Sequence, residues 1–407
     1  MDRRLLLLGA LYFCQGLPGG FLAVALPVML LQQGVDLTRV GLVSALSLPW
    51  MFKVLWSPLV DRYGSARLGR RRSWMLPSLA VMLLATLAIG ALDPVQTLTP
   101  ILALFFVLNL AAATQDIAVD GYAVSILRGR ELAHGNTAQV GGFKLGNLVG
   151  GGVLLALSTQ LGWHGVFAIM AVCIAAALAA VWWVREPADA VVPALDTLGV
   201  VRRALRGIVR EPAYLVFLVA AKFGESLGGS LVKPSMVAHG FSRELIGTLD
   251  GTFGSIATIV GAAAGGVLAR RRGWAATVAV LSTLQGVALI VIAQYQAGVV
   301  TPLGYGVRVA CENFAGGGVA VAVFVLAMSK CDRDIGGAAF TASQVVYMAG
   351  AAIAGPLGAA IADATAIAPV MLASGALAIG VAALALGLRR RLDAPLTADP
   401  DDGTRSA

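Results

Sequence analysis

Apolar residues run through this chain in blocks of about twenty, separated by short polar breaks. A block of about 20 apolar residues crosses a hydrocarbon core of about 30 Å as a helix. Twelve such blocks can be placed, near residues 5–31, 40–60, 74–92, 98–127, 137–158, 164–184, 213–236, 244–269, 274–293, 302–328, 335–360 and 366–388. The short alternating strands of an outer-membrane barrel are not part of the pattern. The expectation is an all-α membrane protein with twelve transmembrane helices. The first block is too long for the apolar core of a leader and carries no cleavage site, so it is expected to be a retained helix.

The one long polar interruption, from 185 to 212, contains Pro187, Asp189, Pro193, Asp196 and the cluster Arg202, Arg203, Arg206 and Arg210. It divides six blocks from six. The expected organisation is an N-terminal bundle over 1–184, a cytoplasmic linker over 185–212, a C-terminal bundle over 213–390 and a disordered tail over 391–407. A weak internal echo supports two pseudo-symmetric halves: Arg70-Arg71-Arg72-Ser73-Trp74 follows the second block, and Arg270-Arg271-Arg272-Gly273-Trp274 follows the eighth. Parallel repeats of this kind build one large group of secondary transporters.

Composition agrees with the pattern. Of 407 residues 58% are hydrophobic and 13% charged, about half the charged fraction of a soluble domain. The basic residues alternate in side. One set of loops holds Arg3, Arg4, Arg62, Arg67, Arg70 to Arg72, Arg128, Arg130, the linker arginines, Arg270 to Arg272, Lys330, Arg333 and Arg389 to Arg391. The other set holds only Arg39 and Arg243. Positive charge stays on the cytoplasmic side, so both termini are expected there, in a bacterial inner membrane. The net charge of +8 is this bias, and it requires no nucleic-acid partner. The four cysteines, Cys14, Cys173, Cys311 and Cys331, fall within helices or near a cytoplasmic helix end, so no disulfide is expected. His134, His164 and His239 are scattered without zinc-ligand spacing. Neither a metal nor a cofactor is expected. Many of the 49 glycines lie within helices, where small residues let membrane helices approach closely.

The chemistry resides in charges placed inside the apolar blocks. Carboxylates in hydrocarbon are costly and rarely lack a partner or a task. Asp116 and Asp120 are four residues apart, on one face of a helix. Lys53 and Lys144 lie at a depth similar to that of Asp120, roughly 12 Å from the cytoplasmic helix ends at 1.5 Å per residue. Two readings stay open at this point. The charges are ion pairs that hold helices together, or the lysines face an anionic substrate while Asp116 carries a proton. Both can hold, because a salt bridge broken by substrate or proton is a switch. In the second half Lys222 and Glu225 share a helix face, and Glu312 sits mid-helix one turn from Arg308, which could neutralise it. Lys233 and Asp250, nearer the far helix ends, read as structural or gating. In the loop Asp61-Arg62-Tyr63-Gly64, continued by Arg67 and Arg70 to Arg72, Asp61 can pair with arginine or with a helix N-terminus across the two halves. Asp61, Arg62, Arg70 and Arg71 are therefore the gating candidates.

Several stretches resemble one known group. They are Gln15-Gly16-Leu17-Pro18, Lys53-Val54-Leu55-Trp56-Ser57-Pro58-Leu59-Val60-Asp61-Arg62, Thr114 to Gly121, Gly141-Gly142-Phe143-Lys144-Leu145-Gly146, and Glu312-Asn313-Phe314 with its glycines. Together they look like the AmpG-like group of the major facilitator superfamily, which includes muropeptide permeases, acetyl-coenzyme A transporters and siderophore importers. The loop from Asp61 resembles the superfamily's signature between helices 2 and 3, with two departures: Ser57, just before it, stands where glycine is usual, and the arginine run lies late. The resemblance implies two six-helix bundles around a central cavity lined by Lys53, Asp116, Asp120, Lys144, Glu225 and Glu312, serving substrate binding or proton coupling. Compact length and the Gly135-Asn136…Gln139-Val140-Gly141-Gly142 stretch look most like the siderophore importers. The expected function is secondary active import, coupled to protons, of a bulky organic anion or amphiphile across the inner membrane. A siderophore is the first reading, and a muropeptide or acetyl-coenzyme A is the alternative. One chain is expected to suffice for the pathway. No nucleotide-binding loop of the Walker type is present. A polytopic membrane transferase is the reading from another class, and the cytoplasmic loops, rich in Arg and little else, argue against it.

Overall fold

A computed structural model describes residues 2–32, 46–65, 67–94, 97–183, 186, 196–294 and 301–393. Among these, ten helices are long and apolar enough to cross a membrane. One of them, Glu131–Trp183, has 53 residues, about 80 Å at 1.5 Å per residue, more than twice the hydrocarbon thickness. It breaks at Gly162, whose φ of 63° lies in the left-handed region that glycine enters without strain. The helix therefore serves as two crossings. The second block of the sequence is described from Leu46 onward, as the segments Leu48–Phe52, Lys53–Leu55 and Ser57–Arg62. With that segment the crossings number twelve, as the hydrophobic pattern predicts. The tail after 393 and most of the stretch from 184 to 195 lie outside the described residues.

The linker is more ordered in part than a polar connection suggests. Thr197–Val209 is a helix whose buried residues, Val200, Ala204 and Ile208, recur every four positions, the spacing of one helical face. Asp196 caps it by accepting from the Gly199 N–H at 2.8 Å. Its apolar face packs on Ile335 and Ala338, and Arg203 pairs with Asp332 at 2.5 Å.

Glycine sets the closest helix approaches. Gly16 lies against the Phe143 carbonyl and Gly146, and Gly261 lies against the Phe314 backbone. A methyl group at either site would fall on main-chain atoms, and in the second half Gly286 against Gly375 and Gly358 against Leu227 are packed in the same way. Two seams join the halves. At one, Gly266 meets Thr137 and the Ala133 carbonyl. At the other, the helix Gly336–Ala364 lies against Leu98–Ile126, with Gly337 facing the Ile117 carbonyl.

Candidate functional site

Proline chemistry places the first site residue. Pro58 has no N–H to give to the carbonyl four residues back, so an α-helix cannot run unbroken through it. The abandoned acceptor is the Val54 carbonyl, and the Ser57 hydroxyl donates to it at 3.1 Å. The chain here tightens into the 3-10 turn Lys53–Leu55. Two indoles pin this irregular segment to the helix Leu98–Ile126. Trp50 Nε1 donates to Asn109 Oδ1 and Trp56 Nε1 to Thr114 Oγ1, each at 3.1 Å. The ammonium of Lys53 lies 5.5 Å from the Trp50 ring centre, within cation–π range. The Lys-x-Leu-Trp-Ser-Pro stretch is thus a device for presenting Lys53.

Lys53 Nζ forms a buried ion pair with Asp116 Oδ2 and also donates to Gln344 Oε1 at 2.7 Å. Asp116, the residue expected to carry a proton, is therefore the one that is neutralised locally. Asp120 has a different setting. It is fully buried and accepts three hydrogen bonds from neutral groups. Tyr12 Oη and Gln139 Nε2 donate to Oδ1 at 2.6 and 2.9 Å, and Gln344 Nε2 donates to Oδ2 at 3.1 Å. No described cation stands within ion-pair distance of it. Lys53 and the two carboxylates form a triad with one charge more of acid than of base. Lys144 is partly buried and does not join the triad. The charges it senses lie in the other half, at Lys222, Glu225, Asp250 and Glu312.

The second half holds smaller groupings. Lys222 pairs with Glu225 at 2.8 Å within one helix and lies 5.8 Å from the Tyr347 ring centre. Glu312 accepts from Gln285 Nε2 at 3.3 Å. Arg308 Nη1 donates to the Gly304 carbonyl of its own helix at 2.5 Å. Lys233 pairs with Asp250 at 3.1 Å.

At the Arg-rich end, Asp61 joins the halves. Its buried carboxylate pairs with Arg71, lies 3.5 Å from Arg70 Nη2, and accepts from the backbone N–H groups of Gly337 and Ala338 at 3.3 and 2.5 Å. Those N–H groups open the helix Gly336–Ala364, where the first turn leaves donors unpaired and a negative charge is favourable. Arg70 Nη2 also donates to the Asp334 carbonyl. Burial, with the Arg71 charge beside it, lowers Arg70 to about 10, so it remains charged at neutral pH. Glu186 steadies the arginine run by accepting from the Arg71 N–H at 2.9 Å and the Arg72 N–H at 3.3 Å. Arg62 lies outside this cluster, with its guanidinium 5.6 Å from the Tyr63 ring centre.

Three site residues escaped the sequence reading: Tyr12, Gln139 and Gln344. Tyr12 sits one helical turn before Gln15, and Gln139 falls in a stretch singled out on other grounds. Gln344 had no local signal, because its partners are about 220 and 290 positions away in the chain. Gln15 and Gln115, from the same stretches, are fully buried, and their amides hydrogen-bond to no other described residue.

The comparisons agree with this architecture. The sequence profile of the Major Facilitator Superfamily matches residues 8–355. The chain is 32% identical over 361 residues, 87% of its own length and 72% of the relative's, to the anhydromuropeptide permease of Escherichia coli (strain K12). It is 26% identical over 280 residues, covering 66% of this chain and 68% of the relative, to the putative transporter AmpG 4 of Rickettsia felis. Its fold matches the E. coli fucose:proton symporter FucP with a TM-score of 0.72 at 13% identity, covering 94% of this chain and 98% of that one. A bacterial homologue of the iron transporter ferroportin, in an outward-facing state, gives 0.70 at 16% identity, covering 96% and 100%. These relatives favour the muropeptide alternative over the siderophore reading. With its crossings, its paired helix bundles and this match across most of its length, the chain belongs to the major facilitator superfamily, in its AmpG-like group.

Proposed function

We propose that this transporter imports anhydromuropeptides across the inner membrane, driven by protons. The likeness to the anhydromuropeptide permease, over 87% of the chain, carries the reading of substrate. The buried triad Lys53, Asp116 and Asp120 supports the reading of coupling, since its excess of one acid over base is what a single proton would neutralise. In this reading Asp120 takes the proton and Lys53–Asp116 is the pair that rearranges. Lys144, partly buried, meets a substrate carboxylate. Glu312 and Glu225 meet its polar and amino groups. The Arg-rich end faces the cytoplasm, with both termini there, and the bundles 1–184 and 213–390 rock about the seams at Gly266 and Gly337. Asp61, Arg70 and Arg71 close the cytoplasmic side between cycles.

The test is uptake by purified protein in liposomes under an inward proton gradient. Labelled anhydromuropeptide, a catecholate siderophore and acetyl-coenzyme A are offered in parallel. Gradient-dependent accumulation of anhydromuropeptide alone is expected. Accumulation of the siderophore or of acetyl-coenzyme A in its place would sink the assignment of substrate, and accumulation indifferent to the gradient would sink the coupling.

A further inference from the structure

Among the described residues, Gln344 is the side chain of the second half that hydrogen-bonds to the buried acid–base triad of the first. It does so with both ends of its amide, and the polarity of that amide is fixed. Oε1 faces the ammonium of Lys53 at 2.7 Å, and an ammonium can only donate. Nε2 faces Asp120 Oδ2 at 3.1 Å, where an ionised carboxylate can only accept. Turning the amide over would set NH2 against ammonium and C=O against carboxylate, so the network itself assigns the orientation. Gln344 stands seven residues beyond Gly337, about 10 Å further along the same helix. One helix is therefore held to the first half at two levels, by Asp61 at its first turn and by Lys53 and Asp120 through Gln344 two turns on.

We propose that Gln344 is the positioning residue through which a proton on Asp120 releases the helix Gly336–Ala364 from the first half. The inference rests on the proton-coupled reading above, and it names the group that carries the signal between the halves. A proton on Asp120 Oδ2 sets O–H against N–H2 and the bond to Gln344 is lost. A proton on Oδ1 is accommodated by Tyr12, whose hydroxyl can turn to accept, but it removes the charge that strengthens the Gln344 bond. The amide cannot compensate by turning over, because Lys53 occupies its other end. Either position of the proton weakens the upper tether and leaves the helix held by Asp61 and by the single Lys53–Gln344 bond. The titratable and charged groups facing Asp120 are Tyr12 from the first helix, Lys53 from the segment before Pro58, Asp116 one turn away, and the Cys331 thiol at the end of Pro302–Lys330. Gln139 completes its shell as a neutral donor.

The test needs no substrate. Nitroxides are attached at Arg130→Cys and Arg271→Cys, exposed positions at the Arg-rich end of the two halves, in a background lacking the four native cysteines. Spin–spin distances are then measured in lipid nanodiscs across a pH series. The otherwise wild-type protein is expected to shift from a short to a long distance as the pH falls. Gln344→Leu is expected to lose that pH-dependent shift, and Gln344→Glu to invert it. At high pH the glutamate adds a second excess negative charge beside Asp120, because the one ammonium of the site is already paired with Asp116, and at low pH its protonated form donates to Asp120. Thermal unfolding of each variant confirms that it is folded, and should the leucine variant not fold, the glutamate variant decides alone. A Gln344→Leu protein with the wild-type shift, or a Gln344→Glu protein with a shift of the same sign as wild type, overturns the proposal. Failure of anhydromuropeptide uptake with the distance result intact would count against the substrate reading only.

Discussion

The two halves spend their buried charges differently. In the second half the charges close on themselves: Lys222 pairs with Glu225 on its own helix, and Glu312 takes its hydrogen bond from Gln285 of the same half. In the first half they reach across. Asp61 caps a helix of the other half, and Lys53 and Asp120 share Gln344 with it. A pair within one helix survives any movement between the halves, whereas a bond across the seam must be broken and remade in each cycle. Charges of the first kind are suited to shaping a binding surface, and those of the second to sensing a conformational change.

The sharpest way to break this contrast is Asp61→Ala. The substitution takes the carboxylate from two buried guanidinium groups, of which Arg70 keeps the Asp334 carbonyl, and from two backbone donors, at a cost of about 3–5 kcal/mol. The expected outcome is a marked fall in unfolding temperature in detergent, with the Cys331 thiol at this end becoming reactive. Next is Lys53→Met, which strands Asp116. The cost is smaller, about 2 kcal/mol, because a membrane-embedded reference state finds other partners for a lone carboxylate. The double variant Lys53→Met/Asp116→Leu is expected to recover most of the stability and none of the uptake. A double variant as unstable as the sum of the singles would show that the pair contributes nothing as a pair.

Weaker effects sharpen the same comparison. Glu225→Gln disturbs a half-buried pair of i,i+3 spacing, and about 0.5 kcal/mol is expected, with uptake affected through substrate affinity rather than maximal rate. Trp56→Phe removes the bond to Thr114 and costs about 1 kcal/mol, but acts on uptake by loosening the turn that presents Lys53. Arg62→Ala, outside the latch, is expected to change stability by less than about 0.5 kcal/mol. A large loss of uptake from Arg62→Ala alone would place it in the gate after all.

What could be read from the chain divides along the same line. The crossings were legible because twenty apolar residues in a row have one physical use. The motif Lys53 to Pro58 was legible as a motif, though the reason for each residue is visible only where Ser57 answers the carbonyl that Pro58 leaves open. Asp116 and Asp120 stood out as charges in an apolar block, but pattern alone could not say which of them Lys53 neutralises. That depends on the 3-10 turn at Lys53–Leu55 and on two tryptophan bonds to the neighbouring helix. Gln344 was invisible, since an uncharged amide mid-helix gains meaning only from the partners the fold brings to it. Within the linker, the helix Thr197–Val209 lay hidden under its arginines, although Val200, Ala204 and Ile208 carry its period.

Under the proposed coupling, one proton, taken at Asp120, travels with each substrate. Liposomes with a pH-sensitive dye inside report this directly when unlabelled anhydromuropeptide is added outside. Acidification of the lumen by the wild-type protein is expected. None is expected from Asp120→Asn, which should still exchange internal for external labelled substrate. Acidification by Asp120→Asn equal to wild type, or wild-type uptake with no acidification at all, would contradict that coupling.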